Sequence, residues 1–199
     1  MFYEPARRNH GLPHNPLKAI VAPRPIGWIS TLSQDGVANL APYSFFNMVS
    51  EQPDILMFSS AGLKDTVRNV MATGAFVCNL ATIELIEAVN LTSKAIPPDE
   101  SEFDLAGLEQ APSRLVKPPR VAASPCALEC VWIETLDVKD RHGASSGRHV
   151  TFGEIVGVHI DDAFIENGLV RTDRLHALAR DGYFDYSWVD EVRSLPRPG

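Results

Sequence analysis

Apolar and β-branched residues fall in short runs separated by turn residues, so the chain reads as mainly β with short helices. Ile26–Leu32 (IGWISTL) predicts a strand, Asp35-Gly36 a hairpin turn, and Val37–Tyr43 the returning strand. Ile55–Ser60 (ILMFSS) predicts a third, largely buried strand. Within Asp65–Thr73 the apolar residues Val67, Val70 and Met71 recur at helical spacing, and Gly74 stands where a C-cap glycine belongs. Phe76–Ala81 predicts a fourth strand, and Ile83–Leu91 a short helix with Ile83, Ile86 and Val89 on one face. Ala127–Val138 and His149–Ile160 are the longest strand patterns, joined by the glycine- and serine-rich connection Lys139–His149. In the second of them Val150, Phe152, Val156, Val158 and Ile160 share a face that Glu154 interrupts. A last helix is expected near Arg174–Arg180, with Tyr183, Phe184, Tyr186 and Trp188 as packing residues. Counting both hairpin strands, the expected strands number six and fit a small closed antiparallel barrel.

Two stretches lie outside this pattern. Residues Met1–Pro16 are polar and broken by proline, which predicts an extended arm. Ser93–Pro125 is an irregular excursion carrying six of the 15 prolines, and within it Glu102–Leu108 is expected to form one helical turn pinned by Phe103, Leu105 and Leu108. A connection of that length is a surface wrap, a wall of the active site or a dimer arm.

Composition narrows the function classes. A length of 199 residues suits one domain, 1–199, with a sizeable core. The balance of 25 acids against 18 bases argues against a nucleic-acid partner, while leaving room for a small basic site for a phosphate. Cys78, Cys126 and Cys130 read as reduced thiols; the last two lie four positions apart, and no histidine is spaced to complete a zinc site with them, so no metal is expected. The start has no apolar stretch like a signal peptide, and no run approaches a membrane span; the expectation is a cytoplasmic protein with no membrane partner.

The sharpest chemical feature is the start of the Asp65–Thr73 helix. A helix N-terminus presents unpaired amides and a positive dipole end, which suit an anion. Lys64 adds a full charge, and Ser59, Ser60 and Thr66 add hydroxyl donors. The competing reading has Asp65 capping the helix while Lys64 points to solvent. Elsewhere there is no dinucleotide-binding or P-loop glycine motif, no GxSxG and no HExxH. Glu129 and Glu154 are read as structural hydrogen-bonding acids. A chain without its own acid–base or nucleophile constellation agrees with a cofactor carrying the reaction.

PRPIGWIST (Pro23–Thr31), NLAPYSFFN (Asn39–Asn47), Ser59-Ser60, Lys64-Asp65-Thr66, FVCNL (Phe76–Leu80) and GRHVTFGEIVG (Gly147–Gly157) together resemble the flavin reductase-like family, from about Pro16 to Trp188. The resemblance implies a six-stranded Greek-key split β-barrel that binds FMN. It implies that Ser30, Thr31, Asn39, Ser44, Phe45, Phe46 and Asn47 hold the ring and ribityl chain, and that Ser59, Ser60, Lys64 and Thr66 hold the phosphate. His149 is the candidate for contacting the nicotinamide or orienting the acceptor, with Arg148 as its rival. A homodimer with flavin near the subunit interface is implied, with NADH or NADPH as electron donor. The acceptor would be a small molecule, a partner oxygenase or a redox protein. Three activities stand open: a NAD(P)H-dependent flavin oxidoreductase, a flavoredoxin-like FMN electron carrier, and a non-redox ligand-binding barrel.

Overall fold

The structure is a computed structural model and describes residues 1–198. After the arm comes a short helix, α1 (Leu17–Ile20), then β1 (Arg24–Pro25), β2 (Gly27–Leu32), β3 (Ala38–Tyr43), β4 (Phe46–Glu51) and β5 (Asp54–Ala61). Helix α2 (Asp65–Thr73) leads into β6 (Ala75–Leu80) and, past one 3-10 turn, α3 (Ile86–Leu91). The excursion holds α4 (Glu102–Leu105), β7 (Gln110–Ala111) and β8 (Arg120–Val121). The long hairpin β9 (Cys126–Lys139) and β10 (Ser145–Ile160) follows, then β11 (Ile165–Glu166), β12 (Leu169–Val170), β13 (Leu178–Arg180) and β14 (Tyr186–Trp188).

Seven strands form the main sheet in the order β3-β2-β6-β9-β10-β5-β4, every pair antiparallel. The six expected strands are all present; β4 is the addition. It lies at an edge with most of its residues exposed, so it carries no inward apolar face to read. Only Ser44 and Phe45 separate the two edge strands β3 and β4 in the chain, and Ser59 N donates to Phe45 O (2.8 Å). The sheet therefore curls back on itself as a split barrel, and it is not closed.

One buried cluster, with Ile29, Phe58, Val67, Val70 and Phe76, lies between sheet and α2. The other, with Trp28, Leu40, Val89, Phe103 and Leu178, lies under α3 and the excursion. Val67 and Val70 are fully buried, but Met71 is 45% exposed, because Thr66 completes the stripe in its place. Gly74 caps α2 as expected, at φ 75° with its amide on Val70 O. Leu105 also faces out, leaving Phe103 and Leu108 as the pins of its turn.

The closed barrel expected from the strand count is thus corrected to an open seven-stranded sheet, and three further expectations are corrected. Residues 174–180 do not form a helix: Leu178–Arg180 is a strand between β1 and β14, with Arg24 opposite Arg180, and His176 at φ 46° breaks any helical run before it. Tyr183, Phe184 and Trp188 are exposed, and of these aromatics only Tyr186 packs on the core. The apolar stripe of β10 points outward; the inward face carries Thr151, Gly153, Ile155 and Gly157, so Glu154 stands exposed and its side chain makes no hydrogen bond among the described residues. A Cβ at Gly153 would lie 2.4 Å from the Phe76 ring, which explains why that position of the inner face is glycine. Glu129 does behave as a structural acid: its buried carboxylate accepts from the amides of Arg114 (2.7 Å), Leu115 (2.6 Å) and Val116 (3.0 Å) and contacts His159 Nε2 (2.5 Å).

Candidate functional site

The start of α2, the end of β3 and residues 92–96 of the excursion enclose a cleft of about 450 Å³. Lys64, Thr66, Tyr43, Lys94 and Glu102 are among its walls. Lys64 is the N-cap of α2 and no side chain caps the helix; Asp65 turns instead along the helix to Arg68. The first-turn amides of α2 are thus left without an intramolecular side-chain acceptor, in the position where helices bind anions.

Behind this mouth lies a buried polar network centred on Asn39. Its Nδ2 donates to both Glu102 carboxylate oxygens (2.9 and 2.8 Å), and its Oδ1 accepts from Thr66 Oγ1 (2.8 Å) and Thr31 Oγ1 (3.3 Å). Asn69 Nδ2 donates to Thr31 Oγ1 (3.1 Å), and Leu40 N donates to Glu102 (2.9 Å). Burial pushes the Glu102 carboxyl above its ordinary value, and the Leu40 amide and Asn39 oppose that rise. Asn39 and Thr31 are saturated by these bonds, so they fix α2 and α4 against β3 rather than offering free groups.

Tyr43 connects this mouth to a second polar spot. Burial pushes its phenol up, partly offset by the hydroxyl of Thr66 beside it. Ser60 and His149 are cross-strand partners on β5 and β10. Ser60 Oγ and His149 Nδ1 are both buried, and neither has a hydrogen-bond partner among the described residues. Such atoms are uncommon in folded proteins and favour a ligand or water as partner.

The remaining expected residues divide. Phe45 is 39% exposed, with Lys18 Nζ 6.0 Å and Arg148 Cζ 5.8 Å from its ring centre. Phe46 packs flat on Gly27, where a Cβ would lie 2.4 Å from its ring. Asn47 accepts from the Met48 amide (2.9 Å), Ser59 is half-buried, and Ser44 lines a smaller hollow with Arg180 and Tyr186. Ser30 is set apart: its hydroxyl donates to Pro119 O (2.6 Å) and accepts from Asn79 (3.1 Å), anchoring the excursion. Tyr43, Asn69, Lys94 and Glu102 were absent from the sequence-based set. Their only signal was nearness in the chain to Asn39, Thr66 and Phe103.

Comparison with known proteins gives this geometry its context. A family model described as the flavin reductase like domain matches residues 21–179. A protein of Aquifex aeolicus is 38% identical over 169 residues, covering 82% of this chain and 83% of its own. Among solved structures, nitrilotriacetate monooxygenase component B from Bacillus cereus superposes with a TM-score of 0.88 at 27% identity, covering 98% of both chains. The 2-nitrobenzoate 2-nitroreductase of Pseudomonas fluorescens reaches 0.87 at 26% identity, covering 100% of this chain and 96% of its own. With that match and this split barrel, the chain belongs to the flavin reductase-like family.

Proposed function

We propose that this chain binds FMN and works as an NAD(P)H-dependent flavin reductase, delivering electrons to a small molecule or a partner oxygenase. The observation that carries the reading is the uncapped start of α2 beside Lys64, opening into the cleft, in a chain of this family. The residues present fit the cofactor. Lys64 and the first-turn amides suit its phosphate, with Thr66 held by Asn39 at the same place. Ser60 and His149 supply unused polar atoms, and the Ser44–Asn47 connection supplies the exposed Phe45 ring. Bound flavin would supply the hydride and electron chemistry. The chain's own part is to hold the phosphate, to exclude water with Tyr43 and Phe45, and to present His149 to the nicotinamide or acceptor.

A homodimer and a cytoplasmic setting complete the proposal. Val131, Ile133, Leu136, Val156, Val158 and Ile160 expose between 36% and 59% of their surface along β9 and β10. These exposed apolar residues, with Glu134 and Glu154 among them, suit a second copy of the chain. Three unpaired thiols agree with a reducing compartment, and no described helix is long and apolar enough to cross a membrane.

The test is the absorbance spectrum of the purified protein before and after anaerobic NADH, then NADPH. A flavin spectrum bleached by either nucleotide is expected. A flavin spectrum indifferent to both makes the protein an electron carrier, and a colourless protein that takes up no added FMN removes the cofactor assignment.

A further inference from the structure

We propose that the hollow behind Ser44, where Arg180 lies on the Tyr186 ring, holds the carboxylate of a small organic acid beside the flavin. Its place beside the flavin rests on the reading above, whereas its preference for an acid comes from the hollow alone.

The hollow has a volume of about 220 Å³ and shares Pro42 and Ser93 as walls with the larger cleft, so the two adjoin. Ile26 and Val89, both buried, make its apolar side with Pro42. The small sheet β1-β13-β14 makes the other side. Arg24, Arg180 and Tyr186 stand opposite one another across its three strands, so their side chains share a face. Arg180 Cζ lies 4.3 Å from the centre of the Tyr186 ring, and its Nη2 donates to Tyr183 O (2.9 Å). These contacts orient the guanidinium and leave Nε and Nη1 without a partner among the described residues. A fork already oriented loses little side-chain entropy on taking up a planar carboxylate.

Among the described residues lining the hollow, Arg180 alone is charged, and no acid faces it there. Its cross-strand neighbour is a second cation. Arg24 is 7% exposed, and its guanidinium donates only to the carbonyls of Lys18 (2.5 Å), Val21 and Asp181 (2.7 Å). The acids next along the chain, Asp181 and Asp185, form no ion pair with either arginine among the described residues. Like charges directly opposite each other destabilise a sheet, and an anion in the hollow offsets that. Size and walls decide which anion. The space is too small for a dinucleotide and takes a single ring or short chain. A bare inorganic anion leaves the Ile26, Pro42 and Val89 side unfilled, while an acid with an apolar body covers it.

The test titrates cyclohexanecarboxylate and its uncharged amide into FMN-loaded and FMN-free protein, read by calorimetry and, in the loaded form, by the flavin spectrum. Wild type is expected to bind the acid at least about tenfold tighter than the amide, as for a charge-assisted contact at a half-buried arginine. The acid is also expected to shift the flavin bands. Arg180→Ala is expected to bring the acid to the amide's level and to leave FMN affinity unchanged. Wild type without preference for the acid overturns the proposal, and that comparison needs no variant to fold. An Arg180→Ala variant that keeps the preference overturns it, and so does one that loses FMN along with the acid, since that marks a structural role. Acid binding that leaves the flavin bands unmoved overturns the placement beside the flavin. Wild type that takes up no FMN overturns the flavin reading, while the acid–amide comparison on the FMN-free protein still decides the hollow.

Discussion

Replacing Glu129 by Gln tests how the excursion is fastened to the barrel. The carboxylate is fully buried and accepts three consecutive amides, with His159 as a fourth neighbour. Burial pushes its pKa up, but the hydrogen bonds from His159 and from the Arg114, Leu115 and Val116 amides outweigh that and bring it from 4.5 to about 2. A folded pKa below the unfolded one means stability that is present above about pH 4.5 and lost as pH falls towards 2. The drop from 4.5 to about 2 corresponds to roughly 3 kcal/mol at neutral pH. Gln keeps the shape but sets an NH2 against donors, so urea unfolding at pH 7 should show Glu129→Gln less stable by about 2–3 kcal/mol. At pH 3.5 part of the wild-type advantage has titrated away, and the gap should narrow by about 1 kcal/mol. Taking the difference between the two proteins cancels the other carboxylates. A gap that is absent at pH 7, or that does not shrink at pH 3.5, refutes the assignment of Glu129 as the ionised fastener.

Lys64→Ala should weaken FMN binding by about tenfold or more, since a charge-assisted phosphate contact is worth about 1.5–3 kcal/mol; an unchanged Kd by flavin titration would place the phosphate elsewhere. Asn39→Leu strips two donors from buried Glu102 and an acceptor from Thr66 and Thr31, so thermal unfolding should reveal a loss of about 3 kcal/mol. A variant as stable as wild type would show that water can replace the network. Val158→Glu places a charge on the exposed apolar face, and light scattering after size exclusion should then report a monomer that retains flavin poorly. A Val158→Glu dimer would put the interface on another face. Native protein should expose one thiol, Cys126, to a thiol reagent, because burial pushes Cys78 up to about 12 and Cys130 well above its ordinary value; three rapid equivalents would contradict that packing.

Local patterns made the barrel strands and α2 legible, because each buries a repeating stripe or ends on a residue with one conformational job, as Gly74 does. Strand β4 was hidden by its exposure. The C-terminal helix expectation failed because pairing with Arg24 and Pro25 overrides the helical propensity of Leu175–Arg180. For β10 the period of two was plain, but a period alone does not say which face turns inward. Phe76 settles that by filling the space above Gly153, and the stripe left outside is the face assigned here to a second copy.

The candidate site divides along the same physical line. Lys64 and Thr66 are legible because strand, turn and helix start are contiguous in the chain, so the anion-binding geometry is local. Glu102 reaches Asn39 across 63 residues, and Lys94 is placed by a Thr92 bond to Trp28 across 64. No short-range pattern encodes contacts of that separation. The excursion is thereby more than a surface wrap. Asn39 receives the hairpin, α2 and α4 at one side chain, so the wall bearing Lys94 and the helix start bearing Lys64 are fixed to the same atom group. A perturbation at Asn39 should therefore loosen both walls together, with FMN affinity falling in step with stability, whereas Lys64→Ala should lower affinity alone.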